Sequence, residues 1–269
     1  MGRLGFGAMR VMDAKGADGS ESRDAAVALV RRAVDLGVTF IDTADLYGRG
    51  ASEEIIAEAL HPCPEGVMIA TKGGFSPERT APAPGMLPVD GRPEWLRRAC
   101  EASLRRLRVE RIELYQLHAP DETIPYEESI GALVELQSEG KIARIGVSNV
   151  NRRQIATAMG ITRVTSVQNR YNHADRGSER VLEMCEEHGI AFLPWGPIQT
   201  GDDEVLNAVA TEVGTNPQQV ALAWLLRRSP NLLPIPGTSS VVHLEENMAA
   251  AELDLTDDQV SRLTEIAAR

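Results

Sequence analysis

Apolar positions along the chain group into two alternating kinds of segment. Short apolar, strand-like runs occur at 4–9, 38–42, 67–71, 112–118, 142–147, 164–168, 190–194 and 232–235, eight in all. Between them lie longer stretches whose apolar residues step by three and four, the spacing of one helix face. In the first of these, predicted at 24–36, Ala26, Val27, Val30 and Val34 fall at that spacing, Ser20 or Ser22 is placed to cap the start, and Gly37 ends it. The same reasoning predicts helices at 52–60, opened by Ser52, and at 93–107, 126–138, 152–159, 178–188, 204–213, 217–228, 241–250 and 255–267, the last packing on the outer side. Strands that alternate regularly with helices run parallel with helical crossovers, and eight of them close into a barrel. An open doubly wound sheet would carry its phosphate loop after the first strand. Gly5-Phe6-Gly7 has no third glycine at the right spacing, so these glycines are read as places of close packing or ligand approach. The expected fold is a single α/β domain over 1–269, a (β/α)8 TIM barrel.

Barrels of this class place their sites at the carboxyl ends of the strands. Three successive runs here stop at a titratable residue: Asp42, Lys72 and His118, with Tyr47 just past the first. A phenol has a pKa near 10, and a neighbouring cation such as Lys72 would lower it and fit it for proton donation. The stretch 75–92 holds Pro77, Pro82, Pro84, Pro88, Gly85 and Gly91 with little helical pattern. It reads as a lid bordering the substrate pocket or as a disordered insertion.

Composition narrows the classes. With 28 Lys plus Arg against 39 Asp plus Glu, the net charge of −11 argues against nucleic-acid binding on a broad basic surface. No apolar stretch reaches the roughly 20 residues that span a bilayer, and the first residues lack a signal peptide's segments, so a cytoplasmic protein without membrane partners is expected. Cys63, Cys100 and Cys185 are widely spaced, which argues for reduced thiols and against a disulfide framework or metal site.

Asp-Thr-Ala-Asp-Leu-Tyr-Gly at 42–48 resembles the signature of the aldo-keto reductases, (β/α)8 barrels that move hydride between a nicotinamide cofactor and a carbonyl. The resemblance runs from 4–7 to Asn247 and implies a catalytic tetrad of Asp42, Tyr47, Lys72 and His118. Tyr47 would give its proton to the substrate oxygen, Lys72 would lower the phenol's pKa, Asp42 would hold Lys72, and His118 would orient the carbonyl. It also implies NADP(H) or NAD(H) as cofactor and a small-molecule carbonyl substrate. Ser148, Asn149 and Gln168 would hold the nicotinamide carboxamide. Trp195, followed by Gly196, Pro197 and Ile198, would stack on its ring. Taken singly, Ser-Asn after a strand is most often a helix cap and a Trp is most often core. Gly237, Thr238, Ser239, His243, Glu246 and Asn247 would form the adenosine end. The positions where the family commonly carries Lys, Ser and Arg hold Gly237, Thr238 and His243, which leaves the choice between the two cofactors open.

One further departure and two rivals stand beside this reading. Many members carry a hairpin before the first strand, and the chain has almost no residues there, so the bottom is open or covered by something else. A barrel aldolase or racemase would use Lys72 as a Schiff-base nucleophile. A binding module would hold the nucleotide and report redox state without catalysis.

Overall fold

A computed structural model of the chain describes residues 2–80, 87–201 and 203–265. Its strands are β1 (Phe6–Gly7), β2 (Phe40–Asp42), β3 (Met68–Gly73), β4 (Leu114–Leu117), β5 (Ile145–Ser148), β6 (Val164–Gln168) and β7 (Ala191–Phe192). Its helices are α1 (Arg23–Asp35), α2 (Ala51–Leu60), α3 (Pro93–Leu107), α4 (Tyr126–Ser138), α5 (Arg152–Ile161), α6 (Glu179–His188), α7 (Glu204–Val213), α8 (Pro217–Arg228), α9 (Val241–Ala249) and α10 (Asp257–Glu265). The strands form one parallel sheet of seven in chain order, each paired with the next.

The eighth apolar run forms no ladder of its own. Its sequence, Leu-Leu-Pro-Ile-Pro, explains this, since a proline has no N–H to give. Its residues nevertheless bridge to both edges of the sheet, Leu232 to Phe192 and Gly237 to Gly7. Gly5 and Gly7 donate to the carbonyls of Pro234 and Pro236 at 2.9 and 3.1 Å, while Leu233 donates to Phe192 at 2.9 Å. The approach is close enough to require glycine: a Cβ on Gly7 would lie 2.6 Å from the Ile235 carbonyl. The close-packing reading of that glycine therefore holds.

Strand alternation sorts the side chains into two cores. Ile41, Tyr115, Leu117, Val147, Val167 and Phe192 face outward and pack under the helices. Phe40, Ala70, Leu114, Leu193 and Ile235 form a small separate apolar cluster. Two residues further along the same inward faces stand Asp42, Lys72 and Gln116, with Ser166 and Gln168 beside them, all buried. The interior is thus apolar at one end and polar at the carboxyl end of the strands.

Local details amend some expectations. Ser22 caps α1, accepting from Ala25 N–H. Ser52 does not open α2; its buried hydroxyl donates to the Ala8 carbonyl at 3.0 Å, tying α2 to the segment after β1. That segment, expected to extend the first strand to residue 9, turns instead into a 3-10 helix at Ala8–Asp13. α10 packs on the outer side as expected, with Trp224 Nε1 donating to Thr264 Oγ1 at 3.1 Å; residues 266–267 of the expected helix lie outside the described residues. None of the helices among the described residues is long and apolar enough to cross a membrane. Cys63, Cys100 and Cys185 are free, and no cluster of potential metal ligands occurs among the described residues.

Candidate active site

Parallel strands deliver their last residues to one rim. Asp42 ends β2, Ser148 ends β5 and Gln168 ends β6, Lys72 lies next to last in β3, and His118 and Trp195 lie just past β4 and β7. Tyr47 arrives by a different route. After β2 the chain stays tied to β3 through Asp45 N–H, which donates to the Lys72 carbonyl at 3.1 Å. It then turns sharply through Gly48, Arg49 and Gly50, at φ 58, 55 and 95°. Two glycines make that left-handed turn accessible, and Arg49 adopts it at a cost of about 1–2 kcal/mol.

These elements bring the four expected catalytic residues together. Lys72 Nζ donates to Asp42 Oδ2 at 2.7 Å, to the Thr43 carbonyl at 2.8 Å and to the Tyr47 hydroxyl at 3.4 Å. An ammonium has three hydrogens, and all three are committed. The lysine is 0% exposed and does not line the cavity above it. Asp42 Oδ1 accepts from Gln168 Nε2 at 2.8 Å and from Gln116 Nε2 at 3.4 Å, and Ser166 Oγ donates to Gln116 Oε1 at 3.2 Å. The buried carboxylate is therefore satisfied on both oxygens. His118 meets the ring of Tyr47 edge-on at 6.1 Å and that of Phe75 at 4.7 Å between centroids.

The electrostatics differ from the sequence expectation at one point. Burial pushes the Tyr47 phenol above 10; Lys72 pulls it down but does not overcome burial, and Asp42 adds to the rise. Asp42 sits against the lysine and offsets part of its field. Tyr47 is consequently protonated at neutral pH. Burial also drives His118 well below 6.5, with Lys72 acting in the same sense, so its imidazole is neutral. Burial alone would lower Lys72, but Asp42 and Tyr47 outweigh it and hold the ammonium above 10.5.

Asp45 carries a cost of its own. Its Oδ1 is buried with no hydrogen-bond partner, and its carboxyl is pushed up to about 7, first by burial and then by Glu53, against the pull of Arg106 and Lys72. Between pH 4 and 7 the folded chain keeps a proton that the unfolded chain has released, so this residue makes stability fall as pH rises through that window. We predict that Asp45→Asn removes the loss: the variant gains on the wild type by on the order of 1–3 kcal/mol between pH 5 and pH 8. Urea midpoints at the two pH values measure this, and an unchanged difference between the proteins would exclude it.

Above the tetrad lies a cavity of about 590 Å³, lined by Asp42, Tyr47, His118, Ser148, Asn149, Gln168, the run Trp195, Gly196, Pro197 and Ile198, and Gly237. A second, of about 440 Å³, is lined by Ile198, Gly237, Thr238, Ser239, His243, Glu246 and Asn247. Arg10, Ile198 and Gly237 line both, so the two adjoin as one elongated site. Ser148, Asn149 and Trp195 are linked: Asn149 Nδ2 donates to the His118 carbonyl at 2.9 Å and to Ser148 Oγ at 3.2 Å, and Trp195 Nε1 donates to Asn149 Oδ1 at 3.1 Å. Asn247 Nδ2 is buried in the second cavity without a partner.

Sequence reasoning missed Arg10, a cation at the junction, and Gln116, which braces Asp42. The signal for Gln116 was present as a polar residue in an otherwise apolar strand, on the same alternation as Leu114. Arg10 carried none, because a single arginine after a strand is ordinary. From the stretch 75–92, Phe75 and Leu87 do border the cavity; Pro82, Pro84 and Gly85 lie outside the described residues.

With this geometry in place, comparison with known proteins is decisive. The sequence model of the Aldo/keto reductase family matches residues 3–268. The chain belongs to the aldo/keto reductase family. It is 42% identical over 267 residues to an uncharacterized oxidoreductase of Schizosaccharomyces pombe, covering 98% of this chain and 86% of that one. It is 38% identical over 276 residues to a pyridoxine 4-dehydrogenase of Escherichia coli, covering 98% and 94%. Among solved structures it resembles an aldo/keto reductase from Klebsiella pneumoniae in complex with NADP and acetate, with a TM-score of 0.81, 28% identity, and coverage of 98% and 91%. An aldo/keto reductase uses a nicotinamide cofactor, and the elongated site of this one has room and polar groups for a dinucleotide.

Proposed function

We propose that this aldo/keto reductase reduces an aldehyde or ketone to an alcohol, with Tyr47 as proton donor. The observation that carries the reading is the buried Lys72, saturated by Asp42 and Thr43 and touching a Tyr47 hydroxyl that lines the cavity. A reduced nicotinamide, when bound, supplies the hydride. Tyr47, held protonated, gives its proton to the carbonyl oxygen. Neutral His118 donates a hydrogen bond that orients that oxygen, and Lys72 stabilises the phenolate left behind. Asp42 fixes Lys72 and is itself fixed by Gln168 and Gln116.

Ser148, Asn149 and Gln168 would hold the carboxamide, Trp195 would cover the ring, and the second cavity would take the adenosine end. Arg10, which lines the same cavity as His243 and pairs with Asp13 at 3.0 Å, would offer phosphate a cation that the segment after residue 235 lacks. The protein wall around this site is read as a single-domain (β/α)8 barrel, with 232–237 as its eighth member closing β7 onto β1.

Oxidation of NADPH or NADH, followed by absorbance with a panel of aldehydes and ketones, tests the reading. The Escherichia coli relative's name makes pyridoxal the first aldehyde to try. Binding of NADPH without oxidation by any carbonyl would favour the redox-reporting module instead. A Schiff-base role for Lys72 is disfavoured by its zero exposure and three committed hydrogens.

A further inference from the structure

A third cavity, about 650 Å³, lies beside the active-site mouth, and Leu46, Phe75 and Leu87 line both. Its far wall is one face of α3, where Trp95, Arg98, Ala102 and Arg105 recur at steps of three and four. Arg106 and, from the turn after Tyr47, Arg49 complete the lining on the cationic side. Four arginines thus line one cavity in a chain whose net charge is −11.

Their pairing decides what the groove can hold. Arg106 is taken by the buried Glu53 at 2.6 Å. Arg98 lies over the Trp95 ring at 5.0 Å and reaches Glu78 at 3.4 Å, with both charged ends more than half exposed. Arg49 and Arg105 make no ion pair or side-chain hydrogen bond with any described residue. The opposing carboxyls are Glu78, already shared with Arg98, and Asp45. Scattered exposed arginines are ordinary surface. Here they line a concavity, over small alanine side chains and an aromatic ring, and it adjoins the active-site cavity through Leu46, Phe75 and Leu87.

We infer that this groove holds the anionic end of the substrate, a terminal carboxylate or phosphate, while its carbonyl lies at Tyr47 and His118. Guanidinium groups bind such oxyanions with paired, charge-assisted hydrogen bonds. The preferred substrates are therefore carbonyl compounds with an oxyanion at the far end of a short chain. This rests on the reductase reading above and names its substrate class.

The test compares kcat/KM for a homologous series of ω-carboxyaldehydes with the uncharged alkanals of matching length, and glyceraldehyde 3-phosphate with glyceraldehyde. Wild type prefers the anionic member at the best length by about tenfold or more, and the two oxyanions are ranked by the two arms. Arg98→Gln and Arg105→Gln each lower that preference by about tenfold, through KM, because each removes a charged hydrogen-bond donor. Added salt weakens the preference in wild type. No preference at any length, or variants that slow charged and uncharged aldehydes alike, would overturn the inference. If no aldehyde is turned over, the reductase reading fails separately, and calorimetric titration with glutarate judges the groove alone. Binding by wild type that is lost in the Arg98→Gln/Arg105→Gln protein supports the groove. Equal binding, or none, refutes it.

Discussion

Tyr47→Phe is expected to lower kcat by about 10²–10⁴-fold, the usual worth of a general acid, while leaving NADPH affinity nearly unchanged. The substitution removes one hydroxyl and little else. Lys72 keeps Asp42 and the Thr43 carbonyl, its two shorter bonds, and loses only the contact at 3.4 Å. The ring still packs edge-on against His118. Folding stability should therefore change by less than about 1 kcal/mol, the net worth of one neutral hydrogen bond. Quenching of tryptophan fluorescence by NADPH gives the affinity, and steady-state turnover gives kcat. A variant that retains more than about a tenth of wild-type kcat is incompatible with Tyr47 as the donor.

Lys72→Met is expected to cost as much activity and, unlike Tyr47→Phe, much stability. It leaves Asp42 as a buried carboxylate supported only by two amide donors, Gln168 and Gln116. Breaking a buried pair by removing one partner typically costs about 3–5 kcal/mol, whereas removing both charges can be close to neutral. Asp42→Asn/Lys72→Met should therefore regain most of the lost stability and none of the activity. On the proposed mechanism Tyr47 and Lys72 act as one unit, so Tyr47→Phe/Lys72→Met should be little slower than either single variant. Urea midpoints and turnover numbers check both halves. Additive losses in the last variant would show that Lys72 acts independently of Tyr47.

The sequence carried the site better than it carried the wall. Asp42, Lys72 and His118 stood out because each stops an apolar run, and parallel strands bring such ends to one rim whatever the helices do. Lys72 does pull the phenol down as the sequence suggests, but burial outweighs it, and the depth of burial around Tyr47 is not visible in the sequence. Ser52 read as a helix opener because its type suits a cap; a tertiary bond to Ala8 overrode that preference. Gln168 was expected at the cofactor and does line that cavity, but its donated bond to Asp42 depends on a partner 126 residues away. The arginine-lined groove was invisible for the same reason, since Arg49 and α3 meet only in the fold.

The prolines at 234 and 236 bear on more than strand assignment. Along the junction with β1 these residues only accept hydrogen bonds, so the wall is less densely cross-linked there than between β3 and β4, which pair at four successive positions. Local opening favours sparsely bonded lines, so the amides of Gly5 and Gly7 should exchange with solvent sooner in the free protein than those paired between β3 and β4. Gly7, Ile235 and Gly237 also line the elongated site. A dinucleotide lying there would span the junction and resist its opening, so cofactor binding would act on this wall as a clasp, tightening a seam that the two prolines leave sparsely bonded.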